Sequence, residues 1–314
     1  MKLEETRNRR ILISPLNWGM GHVSRCVGLI NDLQNRNNTV IIACNDDQKS
    51  IFEQYFKDVL IVKHRGYPFV FGGKGNFAWD LLVQFNKLKN RLKDELNEVE
   101  KLIEEHNIDV LISDHRYGFR SQKVTSIFVT HQLNLPLFWY EFPIQIAHKR
   151  LLKKFDRVWV MDFLDNRLAG KLSRNSDLYR TDYIGPFSRF QLYEIPSEKK
   201  FDEVFVASGP AIYAQQLIDL KLGKKKYSNV VVLANDPMEI PVEIKVKSGD
   251  WIEQDKIILS AKKIISRSGY STYMDLYYLG IESDLIPTIG QREQIYLKKL
   301  HTKQQTEQSE ESNT

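Results

Sequence analysis

Cysteine is scarce in this sequence. Cys26 and Cys44 are the two among 314 residues, too few for a disulfide framework and too few for a cysteine-built zinc site. A reducing compartment follows as the expectation, with the cytoplasm as the predicted location. No run of about 18 apolar residues occurs, so no membrane-spanning segment is expected. Met1 to Arg10 is polar and the apolar run behind it is short, which does not make a secretory leader. The net charge of +5 is too mild to call for nucleic acid. An Asp-x-Asp metal motif at a strand end is also lacking; "NDD" at 45–47 reads as a helix-capping turn, and no metal site is predicted.

What is present is a rhythm. Short β-rich runs, "ILIS", "TVIIAC", "DVLIVKH", "DVLISD", "SIFVTH", "RVWVMD", then "EVFVAS", "NVVVLA", "DKIILS" and "ESDLIPT", alternate with longer helical patterns. Strands of four to eight residues separated by helices read as βαβ units on parallel sheets covered on both faces. The expected fold class is α/β, with two Rossmann-like doubly wound domains facing a cleft. Pro186 and Pro196 bracket a polar stretch without helical periodicity. The predicted division is therefore 1–188, a linker at 189–200, a second domain at 201–300 and a disordered polar tail at 301–314. Leu88, Leu92, Leu96, Val99 and Ile103 recur at helical spacing, which predicts an amphipathic helix over 84–106. The aromatic, glycine-rich segment 67–83 before it suits a mobile loop over a cleft or a packed Ω-like loop.

Three glycine turns follow strand-like runs. In "PLNWGMGHVSRC" Asn17, Gly19 and Gly21 lie between the first strand and a helix expected to begin near His22. Such a turn lets backbone approach a ligand, and the helix start favours an anion or a developing oxyanion; a plain tight βα turn explains the glycines equally. In "VASGP" Ser208 and Gly209 repeat the arrangement. In "ISRSGYSTYMDL" Arg267, Ser268 and Gly269 precede Ser271, Thr272 and, one turn on, Asp275. Hydroxyls and N–H groups there suit a diphosphate and the carboxylate suits ribose hydroxyls; the other reading is an N-cap at Ser271 or Thr272 with Asp275 completing a capping pattern. "PTIGQREQ" ends in Glu293 and Gln294, a carboxylate beside an amide able to take up sugar hydroxyls, though an isolated turn and helix start explains it as well.

Taken in order, these stretches resemble glycosyltransferases of the GT-B fold, and most nearly the group related to the peptidoglycan N-acetylglucosaminyltransferase and its family 28 relatives. "PLNWGMGHVSRC" is similar to that group's N-terminal loop and "SRSGYSTYMDLYYLG…IPTIGQREQ" to its nucleotide-sugar signature, with "ISDHRYGFRS", "VTHQL", "FDRVWVMD" and "YIGPFSR" also in place. The resemblance covers most of residues 10–300. It implies an acceptor in the first domain, with an acceptor loop at Asn17, Gly19 and Gly21, and a nucleotide-sugar donor in the second. Ser271 and Thr272 then serve the diphosphate, Asp275 the ribose, and Glu293 and Gln294 the donor sugar, while Ser208, Gly209, Arg267, Ser268, Gly269 and Gln291 complete the expected donor-binding set. His22 is the implied catalytic residue, as general base or as an orienting and charge-stabilising group. The implied reaction is inverting and metal-independent transfer from a UDP-sugar such as UDP-N-acetylglucosamine, with no cofactor beyond the donor. The acceptor is a glycan or a lipid-linked, cell-envelope molecule.

Two departures stand out. The family continues past the Glu-Gln helix with a strand-helix pair and a helix crossing back, whereas this sequence turns polar after Leu300; and Ile289 stands where a second proline is expected. A catalytically inactive nucleotide-sugar-binding protein is the alternative; an epimerase is a third, without its Arg-Pro-Glu type loop. Residues 146–159, "IAHKRLLKKFDRVW", form a basic amphipathic patch suited to peripheral contact with an anionic membrane, or simply a solvated helix with its leucines packed inward.

Overall fold

The computed structural model describes residues 1–68, 83–175, 180–209, 211–222, 229–234, 239, 245–247 and 249–311. Most of the segment expected as a mobile or packed loop at 67–83 lies outside the described residues, as does Pro210. The chain forms two compact units, Met1–Phe187 and Ser188–Thr314.

The first unit holds a seven-stranded parallel sheet in the order β3-β2-β1-β4-β5-β6-β7. Its strands are β1 (Arg10–Pro15), β2 (Thr39–Cys44), β3 (Leu60–Lys63), β4 (Val110–Asp114), β5 (Thr125–Thr130), β6 (Arg157–Val160) and β7 (Thr181–Tyr183). The helices are α1 (Gly21–Asn35), α2 (Asp46–Tyr55), α3 (Phe85–His106) and α4 (Phe142–Leu152). Ile11, Leu12 and Ile13 are wholly buried in succession, as a parallel strand covered on both faces requires. Asn45 caps α2 by accepting from Gln48 N at 3.0 Å, which is the capping role expected for "NDD". Val99 and Ile103 of α3 pack on Leu12, Ile41 and Leu111, so the expected amphipathic face is the one buried.

The second unit holds a five-stranded parallel sheet in the order β10-β9-β8-β11-β12. Its strands are β8 (Phe201–Ala207), β9 (Val230–Ala234), β10 (Lys245–Lys247), β11 (Ala261–Arg267) and β12 (Glu282–Ile286). The helices are α5 (Ala211–Leu222), α6 (Trp251–Leu259), α7 (Tyr270–Leu279) and α8 (Arg292–Glu311). Neighbouring residues leave on opposite faces: Phe205, Val232 and Ile265 pack with α5, while Val204, Val231 and Ile264 pack with α6 and α7. Both units are thus doubly wound, as expected from the strand-helix rhythm.

Three features differ from expectation. "DKIILS" is the end of α6 and not a strand: Asp250 accepts from Ile252 N at 2.8 Å and from Glu253 N at 3.1 Å, and this cap starts a helix that buries Asp255, Ile258 and Leu259. The strand lies directly after it. β7 and β10, each three residues long, lack the apolar run that marks a strand in sequence. The expected disordered tail is helical from 301 through Glu311: α8 runs on through residues of good helix propensity, and His301 stacks on Tyr273 with ring centroids 3.9 Å apart. The expected linker opens with a 3-10 turn, Arg189–Leu192, anchored by Arg189 Nε donating to Asp255 Oδ1 at 2.6 Å.

Candidate active site

In a doubly wound sheet, ligands gather outside the carboxyl ends of the strands where the strand order reverses. In the first unit that point lies between β1 and β4, which pair Pro15 with Asp114. Gly19 sits at φ +121°, backbone that a side chain strains, and lets the chain turn from β1 into α1. No side chain caps α1. His22, on its first turn, therefore meets the last residue of β4.

His22 Nδ1 lies 2.8 Å from Asp114 Oδ2. Arg25, one turn along α1, donates through Nε to Asp114 Oδ2 at 3.1 Å and through Nη2 to Asp114 Oδ1. Arg25 Nη2 is also 2.7 Å from His22 Nδ1. With a hydrogen on Nδ1 the ring donates to the ionised Asp114 carboxylate, while Arg25 Nη2 gives its own hydrogen to Oδ1. That tautomer leaves His22 Nε2 with its lone pair, and Nε2 has no hydrogen-bond partner among the described residues. Burial alone raises the Asp114 carboxyl, but Arg25 and His22 outweigh it and hold it well below the usual carboxylate range. Burial and then Arg25 lower the His22 pKa against the pull of Asp114, so the ring is neutral near pH 7.

Two more imidazoles complete the cluster. His115 follows β4 with φ +60°, a left-handed conformation uncommon outside glycine. Its Nε2 is 2.7 Å from Thr130 Oγ1, at the end of β5. Arg25 Nη1 is 3.3 Å from His131 Nδ1. Ring centroids of His22 and His115 are 5.5 Å apart and those of His115 and His131 5.7 Å. Burial and then Arg25 push His115 well below an ordinary histidine pKa. Cys26 Sγ contacts Asp114 Oδ2 at 3.6 Å, and burial raises its thiol pKa, so it stays protonated.

Of the expected acceptor loop, Gly19 makes the turn and Gly21 opens α1. Asn17 instead clasps backbone: its Oδ1 accepts from Tyr67 N at 2.8 Å and its Nδ2 donates to Tyr67 O at 3.2 Å.

In the second unit the reversal lies between β8 and β11. Ser208 and Gly209 are exposed at the end of β8, with Gly209 at φ +96°. Ser268 and Gly269 follow β11 next to it, and the N-cap of α7 falls on Gly269 rather than on Ser271 or Thr272. These two half-buried hydroxyls therefore lie in the first turn of α7. Arg267 is buried beneath the turn: Nη1 donates to Pro287 O at 3.3 Å, Nη2 to Tyr213 O, and Nε is bonded to nothing among the described residues. Burial lowers its pKa. Gln294 Oε1 accepts from Thr288 N at 2.8 Å and its Nε2 donates to Gln291 Oε1 at 2.5 Å. Ser268 Oγ donates to Gln294 O at 3.1 Å, tying this loop to the α7 turn. Glu293 is half-buried on the first turn of α8.

Asp275 is turned toward other groups. Its Oδ1 accepts from Ser188 Oγ at 2.5 Å and its Oδ2 from Arg189 Nη1 at 2.9 Å. Burial raises its pKa, with Arg189 opposing. The residues missed by sequence reading are Asp114, Arg25, His115 and His131 in the first unit, and Ser188, Arg189 and Asp255 in the second. A signal for Asp114 exists, a carboxylate ending an apolar strand beside a histidine in "DVLISDHR". Among the described residues no group of three or more His, Cys, Asp or Glu is placed to hold a metal ion.

No protein-family model matches the sequence, and no curated protein matches it. Solved structures do match by shape. The glycotransferase of kitacinnamycin superposes with a TM-score of 0.61 at 15% identity over 92% of this chain and 83% of its own. The spinosyn rhamnosyltransferase SpnG gives 0.59 at 14% identity over 89% and 81%. Arabidopsis thaliana UGT89C1 complexed with UDP-L-rhamnose gives 0.58 at 13% identity over 92% and 82%. The chain therefore has a GT-B-type fold, that of these glycosyltransferases.

Proposed function

We propose that the protein is a glycosyltransferase that moves a sugar from a nucleotide-sugar, a UDP-sugar such as UDP-N-acetylglucosamine, to an acceptor hydroxyl with inversion. The observation that carries this reading is the His22–Asp114 pair at the strand reversal of a GT-B-type fold. His22 Nε2 has no hydrogen-bond partner among the described residues, so it is the atom available to take the acceptor's proton. The acceptor oxygen then bonds to the anomeric carbon as the bond to the diphosphate oxygen breaks, and the nucleoside diphosphate leaves with the bonding pair. Asp114 holds the tautomer and stabilises the imidazolium that forms, as a buried carboxylate behind a base does.

In this reading the second unit takes the donor. The turns at Ser208-Gly209 and Ser268-Gly269 offer backbone N–H groups to the diphosphate, and the α7 N-terminus with Ser271 and Thr272 stabilises the leaving charge without a metal or cofactor. Ribose recognition by Asp275 requires a ribose hydroxyl to take the place of Ser188 Oγ. Gln291, Glu293 and Gln294 are assigned to the sugar. The signature from Arg267 to Gln294 supports the family 28 likeness, and with it a glycan or lipid-linked, cell-envelope acceptor on the cytoplasmic side. SpnG complexed with thymidine diphosphate and UGT89C1 with UDP-L-rhamnose support a nucleoside diphosphate as the ligand class.

Calorimetry with UDP, GDP and dTDP, followed by transfer assays with sugars of the bound nucleotide, tests the reading. UDP binding together with transfer that His22→Ala removes is the expected result. UDP binding without any transfer, unchanged in His22→Ala, identifies a binding protein instead, and the occupied carboxylate of Asp275 is the feature that favours that second reading.

A further inference from the structure

His115 is a second imidazole at the carboxyl edge of the first unit, and the proton transfer assigned to His22 does not use it. It stands one residue past Asp114, so the end of β4 presents both the carboxylate behind His22 and a ring beside it. The His22 and His115 rings have centroids 5.5 Å apart at an interplanar angle of 71°. His115 is half-buried, and its backbone is left-handed at φ +60°. Such backbone is costly outside glycine and persists where surrounding contacts fix it, which is common at functional sites.

One nitrogen of the ring is already engaged. His115 Nε2 is 2.7 Å from Thr130 Oγ1. That hydroxyl accepts from Gln132 N at 2.8 Å, and its one hydrogen has two places to go, His115 Nε2 or Gln132 O at 3.3 Å. Gln132 O already accepts from His148 Nε2 at 2.9 Å. The hydroxyl hydrogen therefore goes to the nearer His115 Nε2, which meets it with its lone pair. Burial and then Arg25 hold this ring well below an ordinary histidine pKa, so it is neutral and carries its single hydrogen on Nδ1. His115 Nδ1 has no hydrogen-bond partner among the described residues.

The two rings thus offer complementary atoms, a lone pair on His22 Nε2 and a hydrogen on His115 Nδ1. A hydroxyl matches this pair. It has one hydrogen to give and two lone pairs, one to accept from His115 and one left to attack. A neutral amine has a single lone pair and cannot do both. An oxygen hydrogen-bonded to an imidazole nitrogen lies roughly 4 Å from the ring centre. Two such reaches meet at one oxygen across the 5.5 Å between these rings.

We propose that His115 is a second substrate-contacting residue, donating from Nδ1 to the hydroxyl oxygen of the acceptor whose proton His22 Nε2 removes. The proposal rests on the transferase reading and names a further group of the same site. As the acceptor O–H bond breaks, its proton passes to His22 Nε2. The oxygen bonds to the anomeric carbon, and the diphosphate oxygen leaves with the bonding pair. His115 keeps its proton throughout and stabilises the charge on the acceptor oxygen while that proton is in transit. Thr130 is a positioning residue, since its hydroxyl fixes the tautomer of His115.

Two measurements on the full chain test it. Long-range proton–nitrogen NMR spectra of histidine-labelled protein report the tautomer with no nucleotide present, and the His115 signal is the one lost in His115→Asn. Hydrogen on Nδ1 is expected; hydrogen on Nε2 overturns the proposal whatever the protein does with nucleotides. The second measurement is release of UDP from UDP-N-acetylglucosamine with water as the acceptor. An Asn amide nitrogen can take the place of Nδ1, and Asn accepts left-handed backbone, whereas a Gln amide reaches only the place of Nε2. His115→Gln is expected to lower kcat by roughly a hundredfold with KM for the donor unchanged, the scale of one hydrogen bond to a developing charge. His115→Asn is expected to stay within roughly tenfold of the parent. Circular dichroism checks that both variants fold. Activity kept in His115→Gln and lost in His115→Asn shows a ring that only braces Thr130 and overturns the proposal, as do equal rates in the parent and both variants. A parent that turns over no donor overturns the transferase reading and the contact with it, whereas turnover indifferent to His115 overturns the contact alone.

Discussion

His22 is neutral near pH 7 because burial and the neighbouring Arg25 outweigh the stabilising carboxylate of Asp114. In the transferase reading the expected consequence is an acid-side decline in kcat/KM that sets in at lower pH than an ordinary histidine would give, read from kcat/KM against pH. His22→Ala is expected to lower transfer by roughly 100- to 10,000-fold, the usual contribution of a positioned base, with nucleotide affinity unchanged. His148 shows the same physics without the chemistry. Burial pulls its pKa to about 4 despite the bond to Gln132 O. The unfolded chain thus binds more protons between about pH 6.5 and 4, so this residue's contribution is complete above that window and lost as pH falls through it. Urea midpoints taken across the window should fall less steeply in His148→Gln than in the parent.

The elements are tied by buried charge at a few points. Glu95, on the inner face of α3, accepts from Arg116 Nε at 2.7 Å and from Tyr67 Oη, and His64 Nε2 lies 3.1 Å away. Burial opposes ionisation there, but Arg116 and His64 hold the carboxyl down at about 2. Removing the carboxylate leaves a wholly buried guanidinium unpaired, so Glu95→Ala should cost about 3–5 kcal/mol. Glu98 is itself partly exposed and pairs with the exposed Arg65 as well as the buried Arg91, so Glu98→Ala should cost less than Glu95→Ala. Urea unfolding of the two variants checks that order. Gly66 belongs to the same joint. A Cβ there falls 2.4 Å from Asn17 Nδ2, so Gly66→Ala must displace the clasp on Tyr67, with an expected loss of about 1–3 kcal/mol.

At the scale of the whole molecule, the transferase reading predicts that nucleotide stabilises the chain by mass action. UDP at a hundred times its dissociation constant should add about 2.7 kcal/mol to the unfolding free energy. Thermal melts should rise by several degrees, equally in His22→Ala, and by less when Ser271 and Thr272 are both changed to Ala. A melt that no nucleotide moves would remove the donor assignment. Among the described residues no helix is long and apolar enough to cross a membrane.

Strand period and apolar runs were enough to read both doubly wound units, because a strand buried on both faces must be apolar throughout: Ile11 to Ile13 announce themselves. The glycine turns at Gly19 and Gly209 were legible too, since few other residues accept those φ values. Short strands such as Thr181–Tyr183 were not, since pairing with a longer neighbour makes them and pairing leaves no local mark. "DKIILS" misled because a cap at Asp250, eleven residues before the strand that starts at Ala261, decided for helix. The His22–Asp114 pair joins residues 92 positions apart, and Ser188 with Asp275 joins residues 87 apart. Sequence by itself determined the strand-helix rhythm and the glycine turns; only the order of strands in the sheet decided which side chains share a carboxyl edge, Asp114 beside His22 among them, and burial there decided which are charged.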